Sequence, residues 1–303
     1  MIRGYVPSLL ALALIWGSSF MFIEFALRDL SPAATMTGRL LFASVALGGL
    51  LVARRGWAQA FRCVRDFGRA GFVLGVIATA LPFWLIAWGQ THIDSGIAAI
   101  GNGAMPIFVA LLAIRFAQHE RVVGLRAFGI ALGIVGVGVL VGVNPEGGWW
   151  GAAGTLAVVL AAISYASGSL YSQHKLDGSS GLLVSTASVI WGAIVILPFG
   201  IAQAPSELPG WEATASVAVL GLLGTALGLM MYLHMLETHG SSRASLVVYL
   251  LPPTALFYGA VFLDEPIRLT AILGLGLIIG GVALGSGLIR PARRAQPVPA
   301  PTP

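Results

Sequence analysis

The chain has 303 residues, of which 57% are hydrophobic and 10% are charged, and its formal net charge is +5. Because soluble domains carry about a quarter charged residues, this composition excludes a water-facing globular protein, a disordered chain and a nucleic-acid-binding protein. It is typical of an integral membrane protein, whose surface contacts the lipid bilayer. The 40 glycines favour closely packed membrane helices. The single cysteine, Cys63, excludes an internal disulfide.

Ten apolar runs are long enough to cross a membrane, because a helix needs about 20 residues to span a hydrocarbon core of roughly 30 Å. They cover residues 7–27, 33–53, 70–88, 95–114, 124–143, 150–171, 181–201, 214–235, 242–262 and 269–288. Few apolar residues precede the cleavage-like element Ala11-Leu12-Ala13, so the first run is interpreted as a retained helix and not as a signal peptide.

The basic residues predict the orientation of the chain in the membrane. If the N-terminus is cytoplasmic, all but three of the 17 Lys and Arg residues fall in cytoplasmic segments, and the exceptions are Arg28, Arg39 and Arg268. The positive-inside rule then places both termini in the cytoplasm. The segments between the runs are too short for an extramembrane domain, and the Pro-rich tail 290–303 is expected to be disordered.

Two halves of the chain share an ordered series of residues. The first half contains, in order, Val73-Leu74-Gly75, Thr79-Ala80-Leu81, Thr91-His92, Pro106, Glu120, Gly129 and Gly136. The second half contains the same residue types in the same order, as Val219-Leu220-Gly221, Thr225-Ala226-Leu227, Thr238-His239, Pro253, Glu265, Gly274 and Gly281. We therefore expect a repeat over residues 1–146 and a second over 147–289. Each holds five runs, an odd number, so the second copy is inverted relative to the first. Inverted repeats underlie alternating access, and they predict a transporter.

The residues that carry these patterns also resemble a known family. They are Trp16-Gly17-Ser18-Ser19-Phe20, Arg39, and the two series Pro106, Glu120, Gly129 and Pro253, Glu265, Gly274. Over essentially the whole chain they are similar to the drug/metabolite transporter superfamily in its ten-helix form, built from two EamA-type repeats. The resemblance implies an all-α exporter of small metabolites in the bacterial inner membrane. It is most similar to exporters of the YddG type, which carry aromatic and neutral amino acids.

Prolines within two runs predict where a substrate site lies. A proline cannot donate to the carbonyl four residues earlier, so Pro106 frees that of Asn102 and Pro253 frees that of Tyr249. Broken backbone at membrane depth is tolerated where it is buried or lines a cavity. Asn102 and Tyr249 are therefore candidate substrate contacts and the prolines candidate hinges. The alternative is a structural kink packed against Ser or Gly of a neighbouring helix.

Aromatic and hydroxyl side chains lie near the middle of four other runs. They are Trp16 and Ser19, Phe83 and Trp84, Tyr165 and Ser167, and Tyr232 and His234. A pocket with such walls suits an apolar or aromatic side chain, while hydroxyls, amides and freed carbonyls suit an ammonium and a carboxylate. The expected partner is therefore a small molecule such as an amino acid. The protein is expected to be a monomer or weak homodimer and to need no cofactor.

Ionisable residues are absent from the middle third of every run, which argues against strong ion coupling. Near the outer face, Glu24 and Arg28 have the spacing of an ion pair, and with Arg39 they form either a structural cluster or part of an outer gate. No basic residue is expected in the cavity, which disfavours a carrier of phosphorylated substrates. The prediction is a facilitator, and the alternative is a proton-coupled exporter of drugs or other metabolites, with His234 as a titrating group.

The sequence gives only weak support to an enzymatic function. Tyr165-Ala166-Ser167-Gly168 loosely resembles the serine region of rhomboid proteases, but it lacks the first glycine of their Gly-x-Ser-Gly element. No His-Glu-x-x-His element occurs in the sequence. His234 and His239 do not share a helix face, so no metal site is expected. An intramembrane enzyme thus remains a remote alternative to a transporter.

Overall fold

The computed structural model of the protein describes residues 4–116, 124–142, 148–176 and 178–285. Within these ranges every regular element is a helix and no strand is present, which confirms the predicted all-α class. The predicted tail 290–303 and the repeated Glu120 lie outside the described residues.

The helices follow one another with short connections. They are α1 (Tyr5–Leu27), α2 (Pro32–Arg55), α3 (Trp57–Asp66), α4 (Gly68–Leu74), α5 (Leu81–Gln90), α6 (Ser95–Asn102), α7 (Met105–Phe116), α8 (Leu125–Gly142), α9 (Gly148–Lys175), α10 (Gly181–Ala202), α11 (Trp211–Val219), α12 (Gly228–His239), α13 (Ser241–Ala244), α14 (Val247–Phe262) and α15 (Leu269–Gly285). Two π-helical segments, π1 (Gly75–Ala80) and π2 (Leu220–Leu227), join α4 to α5 and α11 to α12.

Among the described residues, seven helices are long and apolar enough to cross a membrane. They are Tyr5–Leu27, Pro32–Arg55, Gly68–Gln90, Ser95–Ala113, Gly148–Lys175, Gly181–Ala202 and Trp211–His239. Three shorter apolar helices cover Ala127–Val141, Val247–Phe262 and Leu269–Leu284. Within the described residues each apolar run overlaps one of these helices, as expected if hydropathy fixes their positions.

Local chemistry explains several helix boundaries. The Ser31 hydroxyl accepts a hydrogen bond from the Ala34 amide, and Pro32 occupies the first turn of α2, where its missing N–H costs nothing. Gly56, with φ of 74°, ends α2 and lets the chain turn into α3. The short amphipathic helix α3 was not anticipated from the sequence; it buries Ala60 and exposes Trp57.

Small residues bring the long helices close together, as the glycine content predicts. The pairs α8 with α15 and α2 with α10 pack along their lengths. A Cβ on Gly281 of α15 would lie 2.5 Å from the Gly133 nitrogen of α8 and 2.7 Å from the Gly129 oxygen. The two backbones are therefore in direct contact, which only glycine permits.

The fourth apolar run is broken at its middle. Helix α6 ends at Asn102, and α7 begins at Met105 with Pro106 in its first turn. A Cβ on Gly103 in the break would lie 3.0 Å from Pro252 Cγ, so the break packs against α14. By contrast, α14 continues through Pro252 and Pro253 without a break.

Candidate substrate cavity

A central cavity of about 410 Å³ is lined by residues of α1, α2, α4, α5, α6, α7, α9, α10, α12, α14 and both π segments. This volume is in the range of small-molecule sites, about 300–1,000 Å³. Phe20, Ile23 and Ile86 are buried and close one end of the cavity. At the other end the lining includes Ser172 and Ser185, which are partly exposed and lie within about one turn of the connection between α9 and α10. The cavity is therefore open toward that end of the bundle.

Equivalent threonines from the two π segments line the cavity. Thr79 of π1 donates a hydrogen bond to the Gly75 oxygen at 2.6 Å and also approaches the Ser188 oxygen at 3.1 Å. Thr225 of π2 donates to the Leu220 oxygen at 3.0 Å. Both hydroxyls thus stabilise the widened turns, which place backbone and side-chain polar groups beside the cavity.

Trp16 forms one aromatic wall of the cavity. Its indole Nε1 donates to the Gly224 oxygen at 3.0 Å, and its ring lies 5.5 Å from that of Tyr232. A side chain on Gly228 would collide with the indole, so this glycine makes room for it. Trp16 is therefore held between α1 and the junction of π2 with α12.

Another part of the wall combines two aromatic rings with a buried cation. Phe83 and Tyr165 pack edge to face with centroids 6.2 Å apart. The Arg39 Cζ lies 4.0 Å from the Phe83 ring centroid, and Arg39 Nε donates to Thr225 Oγ1 at 2.9 Å. The Arg39 residue is only 8% exposed and lines the cavity. The prediction that no basic residue faces the cavity is therefore wrong, because Arg39 points into the bundle.

Of the side chains predicted to contact substrate, the cavity brings together Trp16, Ser19, Phe83, Asn102, Tyr165 and Tyr232. Trp84, Ser167, His234 and Tyr249 are not among its lining residues. The Ser167 hydroxyl donates to the Ile163 oxygen in its own helix, Trp84 packs against the hydrophobic core, and His234 is exposed. Sequence reasoning missed Thr79 and Thr225 as cavity residues, although both belong to the repeated series.

The charged residues at the closed end are paired differently from the prediction. Arg28 lies 3.5 Å from Glu212 of α11, and both side chains are about half exposed. The expected ion pair of Arg28 with Glu24 is therefore wrong, since α11 brings another carboxylate to this arginine. Glu24 Oε2 is buried and has no hydrogen-bond partner among the described residues.

Glu265 ties the closed end of the bundle together. Its carboxylate accepts hydrogen bonds from the Ser95 amide at 2.8 Å, the Ser95 hydroxyl at 2.8 Å and the Gly96 amide at 3.2 Å. These donors lie at the start of α6, where a carboxylate also interacts favourably with the helix dipole. Nearby, Gln90 Nε2 donates to the Phe20 oxygen at 2.9 Å. The segment after α14 is thereby fixed to α6 beyond the apolar end of the cavity.

Residues 4–142, and again residues 152–287, match the EamA-like transporter family. The chain belongs to this family. Membership confirms the resemblance to EamA-type transporters and, with the apolar helices, a multi-pass integral membrane protein. The family also identifies this EamA protein as a membrane transporter.

Named relatives are similar to this EamA transporter over nearly its whole length. "Uncharacterized inner membrane transporter YedA" of Escherichia coli (strain K12) is 25% identical and covers 91% of the chain and 89% of the relative. "Probable terminal-alkyne amino-acid exporter" of Streptantibioticus cattleyicolor is 28% identical and covers 92% of each chain. A solved crystal structure with 17% identity has a TM-score of 0.64 and covers 95% of this chain and 98% of its own, so the fold is shared.

Proposed function

We propose that this EamA transporter exports amino acids, chiefly aromatic and neutral ones, from the cytoplasm across the inner membrane. The observation that carries the proposal is the cavity, in which aromatic walls stand beside hydroxyls, an amide and a guanidinium. Rings suit the side chain of such a substrate, and the polar groups suit its ammonium and carboxylate. The relative named for amino-acid export supports this substrate class over other small metabolites.

The transport mechanism that we propose is alternating access by two inverted five-helix repeats, residues 1–146 and 147–289, with both termini cytoplasmic. In this account the three shorter apolar helices also cross the membrane, giving ten spans. Several observations support it. The segments π1 and π2 occupy equivalent positions in the two proposed repeats. Helix α10 packs against π1, and helix α2 packs against π2 in the corresponding way. The family also matches the chain twice.

In the conformation described here the cavity is accessible from one end. Under the proposed orientation, the end where α9 meets α10 is cytoplasmic, so the site would receive substrate from inside the cell. Export then requires the contact of Glu265 with Ser95 and Gly96 to open while the other end closes. Glu24 and Arg28 lie at this closed end and are kept as gate candidates.

Asn102 is the polar residue that we place against the substrate ammonium. It ends α6 beside the break in the fourth span, and its Oδ1 is buried with no hydrogen-bond partner among the described residues. A buried acceptor without a partner costs about 1–3 kcal/mol, so an amide that turns toward a bound ammonium recovers part of that cost. Trp16 and Tyr232 would hold the substrate side chain on the opposite wall.

A proton-coupled exporter is the second candidate, and Glu24 is the observation that favours it. The Glu24 carboxylate is largely buried, lacks a partner for Oε2 in the described part of the chain and lies within electrostatic range of Glu265. Buried carboxylates in membrane segments commonly serve proton transfer. We prefer a facilitator, because Glu24 does not line the cavity.

The experiment that tests the proposal is uptake of labelled tryptophan, phenylalanine, threonine and alanine into proteoliposomes, with and without a pH gradient. We expect saturable uptake, strongest for the aromatic substrates and indifferent to the gradient. Asn102→Ala should reduce it by about tenfold or more, since a hydrogen bond to a charged group is lost. Gln59→Ala removes an exposed amide from α3 and serves as the control. Concentrative uptake driven by the gradient would favour the proton-coupled candidate, and no uptake by the folded protein would refute the substrate class.

A further inference from the structure

Arg39 is a buried cation without a carboxylate partner. It lies on the face of α2 that packs into the bundle, between the fully buried side chains Met36 and Leu40. No Asp or Glu in the described part of the chain forms an ion pair with it, and its side chain contacts Thr225 and Phe83. Burying a guanidinium at such a position costs several kcal/mol unless an anion or several acceptors compensate.

The acceptors around Arg39 leave most of its five N–H donors unused. Thr225 Oγ1 takes the Nε hydrogen, and the Phe83 ring stabilises the charge without accepting a conventional hydrogen bond. Since Thr225 donates its own hydrogen to the Leu220 oxygen, its hydroxyl is oriented as an acceptor for Arg39. These contacts fix the plane of the guanidinium while its terminal nitrogens remain available toward the cavity.

Ser19 and Gly224 form the part of the cavity wall next to this guanidinium. A Cβ placed on Gly224 would lie 2.8 Å from Ser19 Oγ and 3.9 Å from Arg39 Nη2, and all three residues line the cavity. Gly224 therefore packs closely against Ser19 and puts no side chain beside the guanidinium. The Ser19 hydroxyl donates to the Ile15 oxygen at 3.3 Å, so the guanidinium supplies the donors for a carboxylate at this part of the cavity.

We infer that Arg39 binds the carboxylate of the transported substrate where its guanidinium lines the cavity, beside Ser19 and Gly224. This inference rests on the proposed passage of amino acids through the cavity, and it narrows the substrate to molecules that carry a carboxylate beside an apolar group. The described lining of the cavity contains no Asp or Glu, so a carboxylate neutralises Arg39, whereas an amine without a carboxylate adds a second positive charge.

Three ligands that share one phenyl ring test the inference: phenylalanine, 3-phenylpropionate and 2-phenylethylamine. Their affinities are measured by titration calorimetry on the purified full-length protein in detergent. We expect both carboxylates to bind at least about tenfold more tightly than the amine. Arg39→Gln should weaken both carboxylates by about tenfold or more and leave the amine unchanged or tighter. The control Arg65→Gln removes an exposed arginine of α3 and should change nothing.

A second variant, Gly224→Ala, keeps the charge but presses a methyl group against Ser19 and places it beside Arg39 Nη2, so it should also weaken both carboxylates. This variant decides the question if Arg39→Gln does not fold, as judged by size-exclusion chromatography. The inference is overturned if the amine binds as tightly as the acids, if neither acid binds the folded wild-type protein, or if Gly224→Ala retains full affinity for both.

The failure of the inference and that of the proposed function can be told apart. If 3-phenylpropionate binds through Arg39 but phenylalanine neither binds nor is taken up by proteoliposomes, amino-acid transport is refuted and the carboxylate site stands. If phenylalanine is transported by Arg39→Gln with the affinity of the wild type, the carboxylate site is refuted and the transport proposal stands.

Discussion

The contact between α8 and α15 depends on glycine, and one methyl group tests it. In Gly281→Ala the new Cβ would lie 2.5 Å from the Gly133 nitrogen, 2.6 Å from its Cα and 2.7 Å from the Gly129 oxygen. All three are backbone atoms, so no side chain can move aside. Since carbon atoms normally meet at about 3.5–4.0 Å, the two helices must separate by roughly 1 Å along their contact.

The matched control is Gly276→Ala, five residues earlier in the same helix. Gly276 is exposed, and no described atom lies within 4 Å of its ideal Cβ. Overpacking costs about 1–3 kcal/mol, whereas replacing an unobstructed helical glycine by alanine gains about 0.5–1 kcal/mol. Because both variants gain this helix propensity, it cancels in the comparison, and we expect Gly281→Ala to be about 1–3 kcal/mol less stable than Gly276→Ala.

The assay for this pair is the thermal unfolding of each purified variant in one detergent, followed by tryptophan fluorescence. We expect the midpoint of Gly281→Ala to fall below that of the wild type and that of Gly276→Ala to stay level or rise. Equal midpoints for the two variants would refute the close approach of the two backbones.

Two further predictions concern the cavity wall and its closed end. Gly228→Val places methyl groups where the Trp16 indole lies, so phenylalanine uptake should fall by about tenfold or more. The control Leu227→Val changes an exposed side chain and should keep wild-type uptake. Equal uptake by the two variants would contradict the placement of Trp16. Glu265→Ala leaves buried donors at the start of α6 without an acceptor, so the unfolding midpoint should drop, at a cost of about 1–3 kcal/mol per donor. Glu237→Ala, which removes an exposed carboxylate, should leave the midpoint unchanged.

The positions of the helices could be predicted from the sequence because the bilayer fixes their length and composition. The run at 181–201 became the helix Gly181–Ala202, and the run at 33–53 became Pro32–Arg55. The fourth run is interrupted just before Pro106, where proline cannot continue the hydrogen-bond pattern.

The rotation of each helix could not be predicted in the same way. A membrane helix is apolar on the lipid side and on the protein side, so hydropathy does not show which face points inward. For this reason Ser167 and His234 were assigned to the cavity although neither lines it, and Arg39 was assigned to the outer face although it does. The π segments also escaped prediction, because a widened turn has no clear sequence signal, even though Thr79 and Thr225 recur in both halves.

Counterflow tests most directly the central claim that the protein is an alternating-access transporter of amino acids. Proteoliposomes are loaded with excess unlabelled phenylalanine and diluted into a trace of labelled phenylalanine at equal pH on both sides. A carrier exchanges substrate one molecule at a time through a site that is open to one side. We therefore predict that labelled phenylalanine accumulates transiently inside the proteoliposomes above its equilibrium level. Gly228→Val should abolish this accumulation. Label that only equilibrates, at the rate of empty liposomes or without dependence on the internal phenylalanine, would contradict the account.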